Sequence, residues 1–327
     1  MRRLFKALLA LAALLVIAYV LLRTPDTDPA EMRAKYGAAP SQFVELNGGL
    51  TVHLRDEGPE NGDADAPVIV LLHGSNADLH TWQPWVLRLK QDFRVIRFDT
   101  IGHGLTGAAP GKDYSPAAMA QLVEHLANRL SLKHFVLAGN SMGGAVAVTY
   151  ALEHPERLDG LVLVDAGGAP KKGNERGNIG FKLAAMPGVN ALMQSVTPRS
   201  LIERSLDQSV SNKAVVTDAT VDRYWELLRF PGNREATMLR FSTVRETFDP
   251  ARLQTIRLPT LIMWGEEDAL IGLDGANWFH ENIAGSRLAT FPDIGHLPHE
   301  EAPDLTVATL RDWMAGLQNG RKGSQAE

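Results

Sequence analysis

The chain of 327 residues contains no cysteine, which excludes disulfide bonds, thiolate metal sites and thiol nucleophiles. It also has no excess of positive charge, because the formal net charge is -5 at pH 7. A nucleic-acid partner would require basic residues to neutralise phosphates, so this charge balance argues against one. The residue pattern implies no metal and no organic cofactor.

The chain has one long apolar run, which lies at its N-terminus. It extends from Ala7 to Leu22, with basic residues before it and acidic residues after it (Arg2, Arg3, Lys6; Asp26, Asp28, Glu31). This asymmetry predicts that residues 1–23 anchor the protein in a membrane, with the N-terminus in the cytoplasm and the folded domain outside. A cleaved signal peptide, which would lead to secretion, and a buried N-terminal helix are the alternatives.

Past this run, the sequence predicts a linker, one folded domain and a polar tail. Residues 24–40 contain three prolines and read as a linker, residues 41–318 as the domain and residues 319–327 as the tail. Residues 42–46 and 50–55 alternate in polarity around Asn47-Gly-Gly49, which predicts a hairpin. Six short apolar runs between residues 67 and 291 alternate with helical patterns, which predicts an α/β fold with a mostly parallel sheet flanked by helices. Residues 168–249 contain helical patterns without a convincing strand. We therefore expect a helical cap there, with additional core helices as the alternative.

A candidate nucleophile lies in the segment Gly139-Asn-Ser-Met-Gly143. An apolar strand pattern precedes it and a helical pattern follows it, so Ser141 is expected at the tip of a sharp turn. The small residues allow a strained backbone, and the N-terminus of the following helix would face any oxyanion formed at the serine. An ordinary helix-capping serine is the alternative.

Activation of a serine requires a base and an acid that orients it. We expect His296 to be the base, because it lies in a loop after the predicted strand that ends near Phe291. We expect Asp268 to be the acid, because it follows the predicted strand ending at Trp264, while Asp165 is the alternative. His299 lies close to His296 in the sequence, but we expect it to pack near Glu300 and Glu301 and not to act as the base.

Acyl transfer also requires donors that stabilise the oxyanion. The backbone N–H of Met142 is the first candidate, and the turn after Leu72 should supply the second. We expect Ser75 in that turn, with Asn76 as the alternative. His73 and His103 are expected to make structural hydrogen bonds.

The order Ser141, Asp268, His296 on an alternating strand and helix chain resembles that of the α/β-hydrolases. Four further segments, at residues 73–75, 98–104, 264–268 and 295–303, resemble that family's oxyanion turn, D-x-x-G-H-G turn, acid turn and histidine loop. The Gly139–Gly144 segment is also similar to the nucleophile elbow of hydrolases that cleave carbon–carbon bonds in ring-fission dienones. Those enzymes carry a longer glycine-rich turn where this chain has Ser75-Asn-Ala-Asp78.

The resemblance implies a serine hydrolase that cleaves small or lipid-like carboxylic esters through an acyl-enzyme. Carbon–carbon hydrolysis and acyl transfer to another acceptor are alternatives, and a non-catalytic ligand-binding protein on the same scaffold is a further one. Large apolar side chains are candidates for an acyl pocket, although each could equally belong to the core or cap (Trp82, Trp85, Met186, Met193).

Overall fold

Eight strands form one sheet in the order β1-β2-β4-β3-β5-β6-β7-β8 in the computed structural model. The structure describes residues 2–46, 48–170, 179, 182–183, 186, 188–242 and 247–324, with side chains up to residue 317. The strands are β1 (Ser41–Leu46), β2 (Leu50–Glu57), β3 (Val68–Leu72), β4 (Arg94–Phe98), β5 (Phe135–Asn140), β6 (Leu158–Val164), β7 (Thr260–Gly265) and β8 (Arg287–Phe291). The two β2 pairings are antiparallel and the rest are parallel, which confirms the predicted sheet.

The helices of the described residues have the following bounds, which we number in chain order. They are α1 (Arg2–Leu22), α2 (Pro29–Tyr36), α3 (Gln83–Leu89), α4 (Pro116–Arg129), α5 (Met142–Glu153), α6 (Val189–Met193), α7 (Arg199–Ser209), α8 (Asp218–Leu228), α9 (Asn233–Ser242), α10 (Pro250–Leu253), α11 (Leu273–Asn282), α12 (Pro298–Glu301) and α13 (Pro303–Ser324).

Both faces of the sheet are buried, which explains the continuous apolar runs of its central strands. Alternate residues of β3 point to opposite sides: Val70 and Leu72 pack with α4 and α5, whereas Ile69 and Leu71 pack with α3 and α13. Because the strands are parallel, the loops that follow β3, β5, β6, β7 and β8 emerge along one edge of the sheet. Every candidate catalytic residue lies on one of these loops.

The segment between β6 and β7 is helical in its described part, as predicted for residues 168–249. It contains α6, α7, α8 and α9, together with a short 3-10 turn at Lys213–Val215, and no strand is assigned among its described residues. Residues 171–178, 180–181, 184–185, 187 and 243–246 of the predicted cap lie outside the described residues. Helices α7 and α8 provide residues that line the cavity above Ser141.

The prediction of a linker for residues 24–40 is wrong in part, because α2 lies within it. Asp28 caps this helix by accepting hydrogen bonds from the N–H groups of Ala30 and Glu31, and Pro29 occupies its first turn. Met32 is buried against Leu227 and Phe230 of the cap. A buried apolar side chain and a capped helix fix this segment to the domain.

Additional polar contacts hold the segment on α8. Glu226 accepts hydrogen bonds from Lys35 Nζ at 2.7 Å and from Tyr36 Oη at 2.6 Å. The N–H of Thr24 donates to the carbonyl of Ser195, next to the end of α1. Helix α1 itself is apolar, exposed along its whole length and long enough to cross a membrane.

The predicted polar tail, residues 319–327, is also partly helical. Helix α13 continues to Ser324, beyond the expected domain end at residue 318, and residues 325–327 lie outside the described residues. The predicted helix over 303–317 is therefore longer by about two turns.

The N-terminal turn of α5 packs very closely against the end of β3. A Cβ atom at Gly143 would lie 2.4 Å from the Leu72 carbonyl oxygen and 2.7 Å from that of His73. Gly316 in α13 is also helical, but a Cβ there would meet nothing within 4 Å. The two glycines therefore offer a matched pair with opposite packing.

We expect Gly143→Ala to lower the free energy of unfolding by about 2 kcal/mol, because the backbone clash outweighs the helix propensity gained. Gly316→Ala should raise it by up to about 1 kcal/mol, since it gains propensity without a clash. Denaturant unfolding of both variants beside the parent measures the difference. Equal stability of the two variants would contradict this account of α5 packing.

Candidate active site

Ser141 occupies a strained turn between β5 and α5. Its backbone has φ 53° and ψ −115°, a conformation that non-glycine residues rarely adopt and that costs about 1–3 kcal/mol. The turn is held by its own backbone: the Ser141 N–H donates to Val164, and its carbonyl accepts from Gly144, Ala145 and Gly167. The structure therefore presents the Ser141 side chain at the sheet edge, as the sequence predicts.

Glycine at position 139 is required by the same turn. A Cβ atom there would lie 2.2 Å from the carbonyl oxygen of Gly143. Only a residue without a side chain lets β5 and the first turn of α5 approach this closely.

His296 and Asp268 form a buried pair. His296 Nδ1 lies 2.7 Å from Asp268 Oδ2, and Asp268 Oδ1 accepts hydrogen bonds from the N–H groups of Leu270 and Ile271. These backbone donors hold the carboxylate so that it fixes the imidazole orientation. The structure brings the predicted base and the predicted acid together, whereas Asp165, the alternative acid, makes no hydrogen bond to His296.

Ser141 and His296 line one cavity at the sheet edge. No hydrogen bond joins Ser141 Oγ to His296 Nε2 in the described part of the chain. Catalytic hydrogen bonds are often long before substrate binds. The lack of this bond is therefore compatible with proton transfer from Ser141 to His296 once a substrate is bound.

The two predicted oxyanion donors lie beside Ser141. Gly74 packs against the serine, since a Cβ atom on Gly74 would lie 3.2 Å from Ser141 Cβ. Ser75 and Asn76 follow it and line the cavity. The N–H groups of Ser75 and Met142 donate to no acceptor among the described residues, so both are available to a ligand.

Arg240 of the cap contacts both candidate oxyanion residues. Its Nη1 atom lies 3.4 Å from Ser75 Oγ and 2.8 Å from Met142 Sδ, while Nη2 lies 3.2 Å from Asn76 Oδ1. Sequence analysis missed this residue, because nothing in the local pattern around position 240 indicates a contact with residues 75 and 142. Helix α9 therefore contacts the turn that contains Ser75 and Asn76 through the Arg240 side chain.

The other histidines of these motifs, His73 and His103, have structural roles, as predicted. His73 Nε2 accepts from the N–H of Thr100, so Nδ1 carries the proton that it donates to Gly74. Burial lowers the pKa of His73 and lowers that of His103 further, which keeps both imidazoles neutral. Burial, together with the charge of His296, lowers the pKa of His299 to about 3.

Glu301 ties the histidine loop to the cap, a role that sequence analysis also missed. Its Oε2 atom accepts from the N–H groups of Ser211 and Asn212, and Oε1 accepts from those of Gly295 and Leu297. The His296 N–H donates to the Ser209 carbonyl at 2.8 Å. One buried carboxylate thus accepts from four backbone N–H groups, two that flank His296 and two in the cap.

The cavity wall is mostly apolar, but it does not consist of the side chains suggested by sequence. Its apolar lining comes from the cap and from the loops that follow β3, β7 and β8 (Ala77, Ile202, Leu206, Leu228, Leu270, Leu297). Trp82 and Trp85 are fully buried in the core beneath the sheet. Met186 is half exposed, and neither Met186 nor Met193 lines the cavity.

We expect Glu301→Gln to destabilise the histidine loop, because an amide replaces one acceptor oxygen with a donor that opposes N–H groups. The free energy of unfolding should fall by about 2–3 kcal/mol. Where the variant remains folded, turnover of an ester should fall about tenfold, since misplaced catalytic groups are costly. Glu267→Gln, at an exposed position in the acid turn, is the matched control and should change neither quantity.

The chain matches a known protein family. A family model for the alpha/beta hydrolase fold matches residues 67–303, and the chain belongs to this family. An uncharacterized protein of Mycobacterium tuberculosis is 30% identical over 261 residues, covering 76% of this chain and 75% of that protein.

Two further similarities concern different reactions. A 2-hydroxy-6-oxononadienedioate/2-hydroxy-6-oxononatrienedioate hydrolase of Comamonas testosteroni is 27% identical over 289 residues, covering 84% of this chain and 96% of that enzyme. The crystal structure of a bacterial membrane phospholipase A superposes with a TM-score of 0.74 at 22% identity. The superposition covers 98% of this chain and 100% of the phospholipase chain, and it supports a shared fold. Hydrolase activity is therefore a property of the family, while the bond that is cleaved differs among its members.

Proposed function

We propose that the protein is a serine hydrolase that cleaves carboxylic esters. Ser141 Oγ attacks the ester carbonyl while His296 Nε2 takes its proton, and Asp268 orients and stabilises the imidazolium. The alcohol leaves with the proton that His296 returns to it. Water activated by the same histidine then attacks the acyl-serine, releasing the acid and restoring Ser141.

The tetrahedral oxyanion of each half-reaction would lie between the N–H groups of Ser75 and Met142. Both donors are without a protein acceptor and lie next to Ser141. The positive end of α5 adds to the same field. Preorganised donors of this kind contribute about 3–4 kcal/mol each to lowering the barrier.

The composition of the cavity wall is the observation that favours an ester over a ring-fission dienone. Among the described residues that line it, none is a lysine or an arginine, and the exposed surface of the wall is mainly apolar. The substrate named for the Comamonas relative is a dioate, which carries two carboxylates and needs cationic partners when it is buried. Arg240 approaches the oxyanion turn but is not a lining residue, so an uncharged acyl group suits this cavity better.

We expect a fluorophosphonate to add one adduct to the parent and none to Ser141→Ala, as measured by intact mass. Hydrolysis of p-nitrophenyl esters should then exceed that of a ring-fission dienone in kcat/KM and should vanish in Ser141→Ala. Absence of the adduct on the folded parent, with a small reagent as well, would contradict the serine mechanism. Faster cleavage of the dienone would favour carbon–carbon hydrolysis instead.

We also propose that α1 anchors the enzyme in a membrane, with the catalytic domain on the outer side. Its run from Ala7 to Leu22 is apolar and unburied, the basic residues Arg2, Arg3 and Lys6 lie before this run, and acidic residues follow it. The hydrogen bond from Thr24 to Ser195 would hold the cap near the point where the chain leaves the bilayer. Lipid-like esters are therefore the substrates that we expect to reach the cavity.

The absence of cysteine makes the orientation directly measurable. In Ala64→Cys, at an exposed loop of the domain, a membrane-impermeant maleimide should label the protein in intact cells without lysis. Intact mass of the membrane-extracted protein should include residues 2–22. A mass that lacks these residues would identify a cleaved signal, and labelling only after lysis would contradict the proposed side.

A further inference from the structure

A second acidic residue, Asp165, lies directly beside the acid of the candidate triad. It follows β6, the strand that pairs with β7, and its backbone has φ 45°. Its side chain is completely buried. One oxygen of Asp165, one of Asp268 and a nitrogen of His296 all lie within 4.8 Å of one another.

The hydrogen bonds around the two carboxyl groups are unequal. Asp268 accepts one from His296 and two from backbone N–H groups. Asp165 accepts one, from the N–H of Gly265 to Oδ1, while Oδ2 has no donor in the described part of the chain. One oxygen of the Asp165 carboxyl nevertheless lies within 4.8 Å of an oxygen of Asp268.

Two adjacent carboxylates cannot both remain ionised in a buried site without a compensating charge. The salt bridges of the described residues bring only His296 to this pair, and no lysine or arginine. Glu301, the other acidic group that acts on Asp165, adds further negative charge. The donors available to Asp268 favour its ionised form, so the compensating proton belongs on its neighbour.

We propose that Asp165 is a protonated positioning residue whose Oδ2–H donates a hydrogen bond to the Asp268 carboxylate. Burial, followed by the charge of Asp268, raises the pKa of Asp165 well above its ordinary value, in agreement with this arrangement. The inference rests on the proposed function in assigning Asp268 as the acid. A neutral donor fixes the plane of that carboxylate and withdraws part of the negative charge that stabilises the His296 imidazolium.

Infrared spectroscopy tests the proton without relying on activity. At neutral pH the parent should show the carbonyl stretch of a protonated carboxylic acid, and Asp165→Asn should lose that band. Glu300 is a control, because burial raises its pKa too, so Glu300→Gln identifies any band that belongs to it. An unchanged spectrum in Asp165→Asn, or a stoichiometric metal ion in the purified protein, would overturn the proposal.

The pH profile of ester hydrolysis gives a second measurement. Asparagine keeps the shape, the neutrality and an N–H donor, so kcat should stay within about threefold and the acid limb of kcat/KM should not move. Asp165→Ala removes the donor, so kcat should fall about tenfold and the acid limb should move to higher pH. If Asp165 is instead ionised in the parent, Asp165→Asn removes a charge and the acid limb drops by about one pH unit or more.

The two proposals fail in different ways. A protein without esterase activity that still shows the Asp165 carbonyl band would contradict the proposed function and leave the carboxyl pair intact. An active esterase that lacks the band would contradict the pair alone.

Discussion

The close approach of α5 to the ends of β3 and β5 is the constraint on which the rest of the site depends. Gly139 and Gly143 permit it, because a side chain on either would collide with backbone. The approach holds Ser141 in its strained conformation, and the adjacent N–H of Met142 has no acceptor among the described residues. It also brings Gly74 against Ser141, so the turn that contains Ser75 is positioned by the same contact. A single packing requirement thus sets the candidate nucleophile and both candidate donors.

The features that the sequence could predict are those that depend on residues close to one another in the chain. Strands buried on both faces read as continuous apolar runs, and β3 to β8 lie where six such runs indicate. The alternating pattern of residues 42–55 likewise indicates the β1–β2 hairpin. Parallel strands place their following loops at one edge, so Ser141, Asp268 and His296 could be expected to meet although they are far apart in the chain. Their geometry agrees with that expectation, while their catalytic roles remain predictions.

The features that sequence could not predict depend on contacts between the cap and the sheet. Arg240 contacts Met142 from the cap, and Glu301 accepts hydrogen bonds from the N–H groups of Ser211 and Asn212, which also belong to the cap. Neither pairing leaves a periodic signal. Trp82 illustrates the same limit, because large apolar residues look alike in sequence whether they line a pocket or fill the core beneath it.

The site gathers three buried carboxyl groups within a small volume, and each is compensated in a different way. Asp268 faces an imidazole, and Glu301 faces four backbone N–H groups. Asp165 receives a single N–H, which is too little to hold a second full charge beside Asp268. A proton on Asp165 lets this edge of the sheet carry one acid for His296 without the repulsion of a second. The distribution of donors, more than the identity of the acids, therefore determines which carboxylate serves the histidine.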